Sequence, residues 1–339
     1  MRSFSRFLRI FLAATLFLLA LPVNAQAGQA LTAYKNYSAD ETEDFADLKS
    51  EVLEKNFSVD SALRAVVINP DVDFPATDTD KLSELLDKAL EIGLDTVIMP
   101  MYANGRALFS DKLYSDGDDG FSAIIDTVRA KGMRIYARLD LAYLLAEKSN
   151  ADFKSSLISS VHAIAVSYRP DAFIVSGYYA LGNAFSREEY AKSGSGIGFS
   201  EWLFEQTQSL AQAAAEAVRK TNNTIPIGIY LQDVWANKSE DFPLGSETKA
   251  KYQAVLDGFT DTKRLLKSGS FDFALVNTPE GTDGEARPFE ELISWWGENS
   301  FGVPLYALHN NAMLADGWGE DQLLRQLSLL KDNESFKGS

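Results

Sequence analysis

The chain has 339 residues, 46% of them hydrophobic, with 48 Asp and Glu against 32 Lys and Arg and a net charge of −16. That length suits one large α/β domain or two small ones, and so acidic a surface repels nucleic acid and anionic lipid. Without cysteine there is no disulfide, thiolate zinc site, iron–sulfur cluster or cysteine nucleophile, and two histidines, His162 and His309, are too few for a multi-histidine metal centre. No Gly-x-Ser-x-Gly elbow and no P-loop occurs. No cofactor and no metal are expected, and carboxylate, amide, hydroxyl and aromatic chemistry remains.

The amino terminus is laid out as a secretory signal peptide. Arg2, Arg6 and Arg9 precede an apolar run over residues 10–21, and Ala25-Gln26-Ala27 is a small-x-small cleavage signal. The run is short for a membrane span. The expected organisation is a signal peptide at 1–27, a polar acidic spacer at 28–60 with a short helix near 43–55, and one domain at 61–339. The expected location is secreted, periplasmic or cell-surface.

From residue 63 short apolar runs alternate with amphipathic stretches. The pattern predicts strands at 63–68, 96–101, 134–139, 172–175, 225–230, 271–276 and 304–308. It predicts helices at 80–92, 121–131, 152–166, 201–220, 261–267, 288–297 and 321–331. Seven β–α units in series predict parallel strands with crossover helices, closing as a TIM-type (β/α)8 barrel. An open Rossmann-type sheet is the alternative, but it wants a Gly-x-Gly-x-x-Gly after the first strand, where Asn69-Pro70-Asp71-Val72-Asp73 stands. The chain ends at Lys337-Gly338-Ser339, where an eighth strand is due. The expectation is a barrel truncated before that strand, with further domains possible beyond it.

In such a barrel the site lies at the carboxyl ends of the strands. The positions there are rich in carboxylates, amides and aromatics, which suits a glycan: polar groups take its hydroxyls and rings stack on its apolar faces. Glycoside hydrolysis needs two carboxyls across the scissile bond. Asp140 and Asp233 are the expected acid and base. Asp71, Asp73 and Glu280 stand behind them, with turn capping or plain loop as their simpler roles. The expected substrate contacts are Asn69, Asn104, Arg106, Tyr178, Tyr179, Gln232, Trp235, Asn277, His309 and Trp318. Tyr178 and Tyr179 are adjacent, so at most one should face the site if strand geometry continues past residue 175.

These positions also carry a family resemblance. RAVVINPDVDFP, DTVIMPMYANGRALFSDKL, KGMRIYARLDLAYL, PIGIYLQDVW, SGSFDFALVN and PLYALHNNAM followed by Trp318 occur in an order and spacing that resembles the glycosyl hydrolase-like 10 family, exported bacterial TIM-barrel proteins to which glycosidase activity is attributed. The resemblance covers residues 63–339. Where that family carries two aspartates after the fourth strand, this chain has Ser176 and Gly177; an Asn-Pro after the third is Asp140-Leu141, and a Gln near the end of the sixth is Asn277. Asn104 or Arg106, Gln232 or its neighbour, His309 and Trp318 keep their places. A hydroxyl and a glycine cannot protonate a leaving group. The resemblance implies an extracytoplasmic glycoside hydrolase acting on a cell-wall or environmental polysaccharide. The alternative is a degenerate barrel that binds glycan or serves as a surface interaction module.

Overall fold

Seven strands run parallel in one curled sheet, in the order of the chain. They are β1 (Ala65–Val67), β2 (Thr96–Pro100), β3 (Arg134–Asp140), β4 (Ala172–Ser176), β5 (Ile227–Leu231), β6 (Phe273–Thr278) and β7 (Leu305–His309). The structure, a computed structural model, describes residues 23–39, 63–103, 106–109, 120–147, 150–183, 185–193, 196–310 and 320–339. Each of the seven expected strands and seven expected helices has its counterpart within a few residues. The architecture is that of a (β/α)8 barrel.

The expected gap at the eighth strand is partly occupied. The Leu305 and Ala307 amides of β7 donate to Ser335 and Gly338 at 2.9 and 3.1 Å. On the other side, the Ser339 amide donates to Leu63 at 3.1 Å and the Ala65 amide donates back to Ser339 at 3.0 Å. Both contacts are parallel bridges. Seven strands and these isolated bridges fit the expected (β/α)8 barrel truncated before its eighth strand, with the last residues lying between β7 and β1.

Strand alternation sorts side chains into two apolar layers. Leu63, Ile98, Tyr136, Ile174, Phe273, Leu275 and Tyr306 fill the barrel interior. Val97, Met99, Ile135, Phe173, Val175, Ile229 and Val276 point outward under the helices. Space inside is shared by size. Gly228 pairs with Phe273 across β5 and β6, and a Cβ on Gly228 would lie 2.2 Å from the Phe273 ring. A repeated device closes the amino-terminal end. Aspartates stand one residue before β2, β4 and β6. The Asp171 and Asp272 carboxylates each accept from a neighbouring strand amide, of Ile135 and Ile227, at 2.8 Å. Asp95 and Asp272 also pair with Arg134 and Arg219.

The outer layer contains α1 (Val23–Ala39), α2 (Thr79–Glu91), α3 (Gly120–Ala130), α4 (Leu141–Glu147), α5 (Asn150–Ser167), α6 (Arg187–Ser193), α7 (Phe199–Thr221), α8 (Ala254–Asp257), α9 (Thr262–Lys267), α10 (Phe289–Glu298) and α11 (Glu320–Lys331). Among the described residues no helix is long and apolar enough to cross a membrane. The expected signal peptide lies mostly in residues 1–22, and the expected helix at 43–55 in residues 40–62, outside the described residues. Residues 28–39, expected as spacer, are helical and docked. Ala30, Ala33 and Tyr34 share a stripe, and the Tyr34 ring sits 5.8 Å from both Phe204 and Trp235.

Candidate functional site

At the carboxyl end of the barrel lies a cavity of about 330 Å³, lined by Val67, Arg138, Asp140, Ser176, Tyr179, Tyr230, Asn277, Pro279, Leu308, His309 and Asn310. The strand period puts most of these there. Arg138 and Asp140 continue the inward face of Tyr136, Ser176 that of Ile174, and Asn277 that of Leu275. The apolar interior thus gives way to a polar layer at its open end.

Asp140 is the carboxylate of this cavity. It accepts hydrogen bonds from the Ala142 amide at 3.1 Å, the Tyr143 amide at 3.3 Å and the Ser176 hydroxyl at 3.5 Å. Burial pushes its carboxyl above the usual range, against the pull of those donors and of the Arg138 charge. Gly177 makes room for it: at φ +73° a Cβ there would fall 2.1 Å from Asp140 Oδ1. Ser176 and Gly177 are therefore the support of a carboxylate that stands on β3. Tyr179 faces the same space, its phenol pushed up to about 12 by burial and by the Asp140 charge. It is a neutral hydrogen-bonding group at any ordinary pH.

His309 is the other ionisable ring. Burial pushes its pKa down, so it is neutral near pH 7. Its Nδ1 lies 2.7 Å from Gln326 Oε1, and Gln326 Nε2 donates to the Glu280 carbonyl at 3.3 Å. That amide orientation makes His309 Nδ1 the donor and leaves Nε2 an acceptor. Nε2 is buried and has no partner among the described residues. Phe289 stacks on the ring at 5.7 Å and holds its plane.

Of the expected site residues, Asp140, Tyr179, Asn277 and His309 come together here. Asp233 does not line the cavity. It pairs with Arg287 at 2.8 Å, and Arg287 pairs with Glu280 at 2.8 Å. Burial raises the Asp233 carboxyl, with Arg287 opposing. Burial also acts to raise Glu280, but the Arg287 and Ala286 donors win and hold it low. Trp235 is no stacking platform. It is buried, donates to Asp261 at 3.1 Å and packs parallel to Trp295 at 5.9 Å. Tyr178 is fully buried, its hydroxyl donating to the Tyr230 carbonyl at 2.8 Å. The strand does not continue past Ser176: Tyr178–Asn183 is a 3₁₀ turn that sends Tyr178 inward to the core and Tyr179 to the cavity. Asn69 is used locally, its amide and side chain donating to Asp73, while Asp71 accepts from Ala76. Gln232 is half-buried outside the cavity lining. Arg106 lies in a short hairpin of residues 102–103 and 106–107. Asn104 and Trp318 fall outside the described residues. Among the described residues no group of three His, Asp or Glu side chains is placed to hold a metal ion.

No family model matches the chain. Over 161 residues, 45% of the chain, it is 24% identical to the glycosyl hydrolase YngK of Bacillus subtilis, and the match spans 31% of that protein's length. The catalytic domain of β-amylase from Paenibacillus polymyxa superposes with a TM-score of 0.55 over 83% of this chain and 92% of that one, at 10% identity. The family 1 β-glucosidase from Thermotoga maritima superposes with a TM-score of 0.51 over 83% and 88%, at 12% identity. Both superpositions show the TIM-barrel fold.

In this barrel the sequence reading missed Arg138 and Tyr230 as cavity residues. The available signal was the alternation itself. In RIYARLD the arginine shares the face of the aspartate, and in IPIGIY the tyrosine shares the face of the glycine.

Proposed function

We propose that the protein is an extracytoplasmic glycoside hydrolase related to the glycosyl hydrolase-like 10 proteins, with Asp140 as its general acid. One observation carries the reading: a half-buried carboxyl, its pKa raised by burial, stands in a cavity at the end where TIM barrels place their chemistry. Asp140 gives its proton to the glycosidic oxygen as the bond to the anomeric carbon breaks, a water molecule adds to the anomeric carbon, and the proton that water sheds restores the Asp140 carboxyl. Tyr179 and Asn277 offer donors to sugar hydroxyls, and His309 Nε2 offers an acceptor. The weak similarity to a glycosyl hydrolase supports the class, and the signal-like amino terminus supports the location. A polysaccharide of the cell wall or the surroundings is the substrate such a location provides.

A second reading has its own support. Hydrolysis uses two carboxyls about 5–10 Å apart, and Asp140 is the one carboxylate among the described cavity residues. A barrel with that lining binds glycan without turning it over.

The test is activity of the full-length protein on bacterial wall and exopolysaccharide glycans, beside Asp140→Asn and Asp233→Asn. Loss of a general acid reduces turnover by about 10²–10⁴, so Asp140→Asn should fall by that much and Asp233→Asn by far less. The rate should decline as pH rises through the Asp140 pKa, above the usual carboxylate range. Glycan binding with no hydrolysis by the wild-type protein would establish the second reading instead.

A further inference from the structure

Arg138 projects into the barrel from the middle of β3, on the face of Tyr136 and Asp140, and lines the cavity. Its Nε is buried without a hydrogen-bond partner. Among the described residues its guanidinium makes no ion pair. Other partly buried arginines differ. Arg134, Arg219 and Arg287 each hold an aspartate at 2.8 Å. A buried guanidinium nitrogen left without a partner is costly, and this one, whose charge acts on Asp140 along the same face, stands where a ligand would sit.

We propose that the cavity takes a carboxylate-bearing sugar, a uronic acid residue of an acidic polysaccharide, with Arg138 as the partner of that carboxylate. The inference rests on the glycan reading of the same site. A guanidinium presents parallel N–H groups that match the two oxygens of a carboxylate. One cation balances one carboxylate, whereas a phosphate monoester brings nearly two charges. Asn277, Asn310 and the Ser176 hydroxyl line the same cavity and suit the sugar's hydroxyls. The protein's net charge of −16 repels acidic polymers at long range, so the attraction must be short and specific, as a recessed guanidinium makes it.

The test is equilibrium binding of the full chain, by calorimetry at 0.15 M salt, to galacturonate and glucuronate tetramers. The comparison ligands are the same tetramers reduced at C6 to neutral sugars, and a sulfated galactose tetramer. Charge-assisted hydrogen bonds predict about tenfold tighter binding of the uronates than of their neutral counterparts. Arg138→Met should abolish that preference, and Arg138→Lys should restore part of it. Equal binding of acidic and neutral tetramers overturns the inference, as does a preference that survives Arg138→Met or tighter binding of the sulfated sugar. Binding or hydrolysis of neutral tetramers alone overturns it and leaves the glycan reading standing. No binding of any tetramer overturns both. Uronate binding without turnover supports the inference and removes the hydrolase reading.

Discussion

Asp140 and Asp233 are chemically alike and placed in opposite settings. Asp140 meets two backbone amides, a distant hydroxyl and open cavity, so its carboxyl is available to a ligand. Asp233 has 5% of its side chain exposed and answers to Arg287. Removing one partner of a buried pair strands the other. Arg287→Met should therefore destabilise the fold by about 3 kcal/mol at pH 7, the figure discounted for the partial exposure of Arg287. The pH dependence follows from the raised Asp233 pKa. A carboxyl whose folded pKa lies above its unfolded value favours folding at low pH, and that advantage is lost as pH rises through the folded value. Without Arg287 the folded pKa rises further, so the Arg287→Met deficit should shrink between pH 7 and pH 4. Urea melts at the two pH values check this, and Asp233→Asn in the Arg287→Met background should recover much of the loss. At this scale the sequence listed the right residue types, because strand ends are found by counting. It could not separate Asp140 from Asp233, since the partner that claims Asp233 lies 54 residues away in the chain.

Among the elements, the strands were the legible part. Most are apolar runs buried on both faces, and parallel strands in a covered sheet read that way. Helices at 79–91, 120–130 and 199–221 follow from their apolar stripes and from Gly93 and Gly132 just past the first two. The elements missed are short and locally unmarked. Leu141–Glu147 begins directly after β3 with no spacer, and Tyr178–Asn183 is a 3₁₀ turn entered through Gly177. That turn, more than any propensity, decides which of two adjacent tyrosines meets the cavity. Packing between strands makes a prediction of its own. Gly228→Ala places a methyl against the Phe273 ring and should cost about 1–3 kcal/mol by overpacking, read as a lower denaturation midpoint with an unchanged slope. The double variant Gly228→Ala with Phe273→Leu should lose less than the sum of the two single changes, because the smaller side chain vacates the space.

For the whole molecule, the decisive feature is how the sheet meets itself. Ser335–Ser339 makes five backbone hydrogen bonds to residues flanking the eighth position, three with β7 and two beside β1. Phe336 is buried beneath them. At about 1 kcal/mol for each bond, deleting residues 335–339 should lower the melting temperature by about 10 °C. Hydrogen exchange should quicken at Leu305, Ala307 and Ala65 before it does in β4 or β5. An unchanged exchange pattern would show that the tail contributes nothing to closure. The docked helix α1 acts on the same scale, covering an aromatic cluster of Phe204, Trp235 and Phe242. Its short stripe of Ala30, Ala33 and Tyr34 is too brief to announce itself beside the acidic residues that follow. By itself the sequence determined the class of fold, the order of the strands and the polar rim, because hydrophobic period and strand count are local properties of the chain. Only the tertiary structure decided that the Arg138 Nε is buried without a hydrogen-bond partner among the described residues, that Gly177 yields its space to Asp140, that Trp235 is core and that residues 335–339 pair with β7 and β1. Each of those depends on residues distant in the chain competing for one volume or one charge.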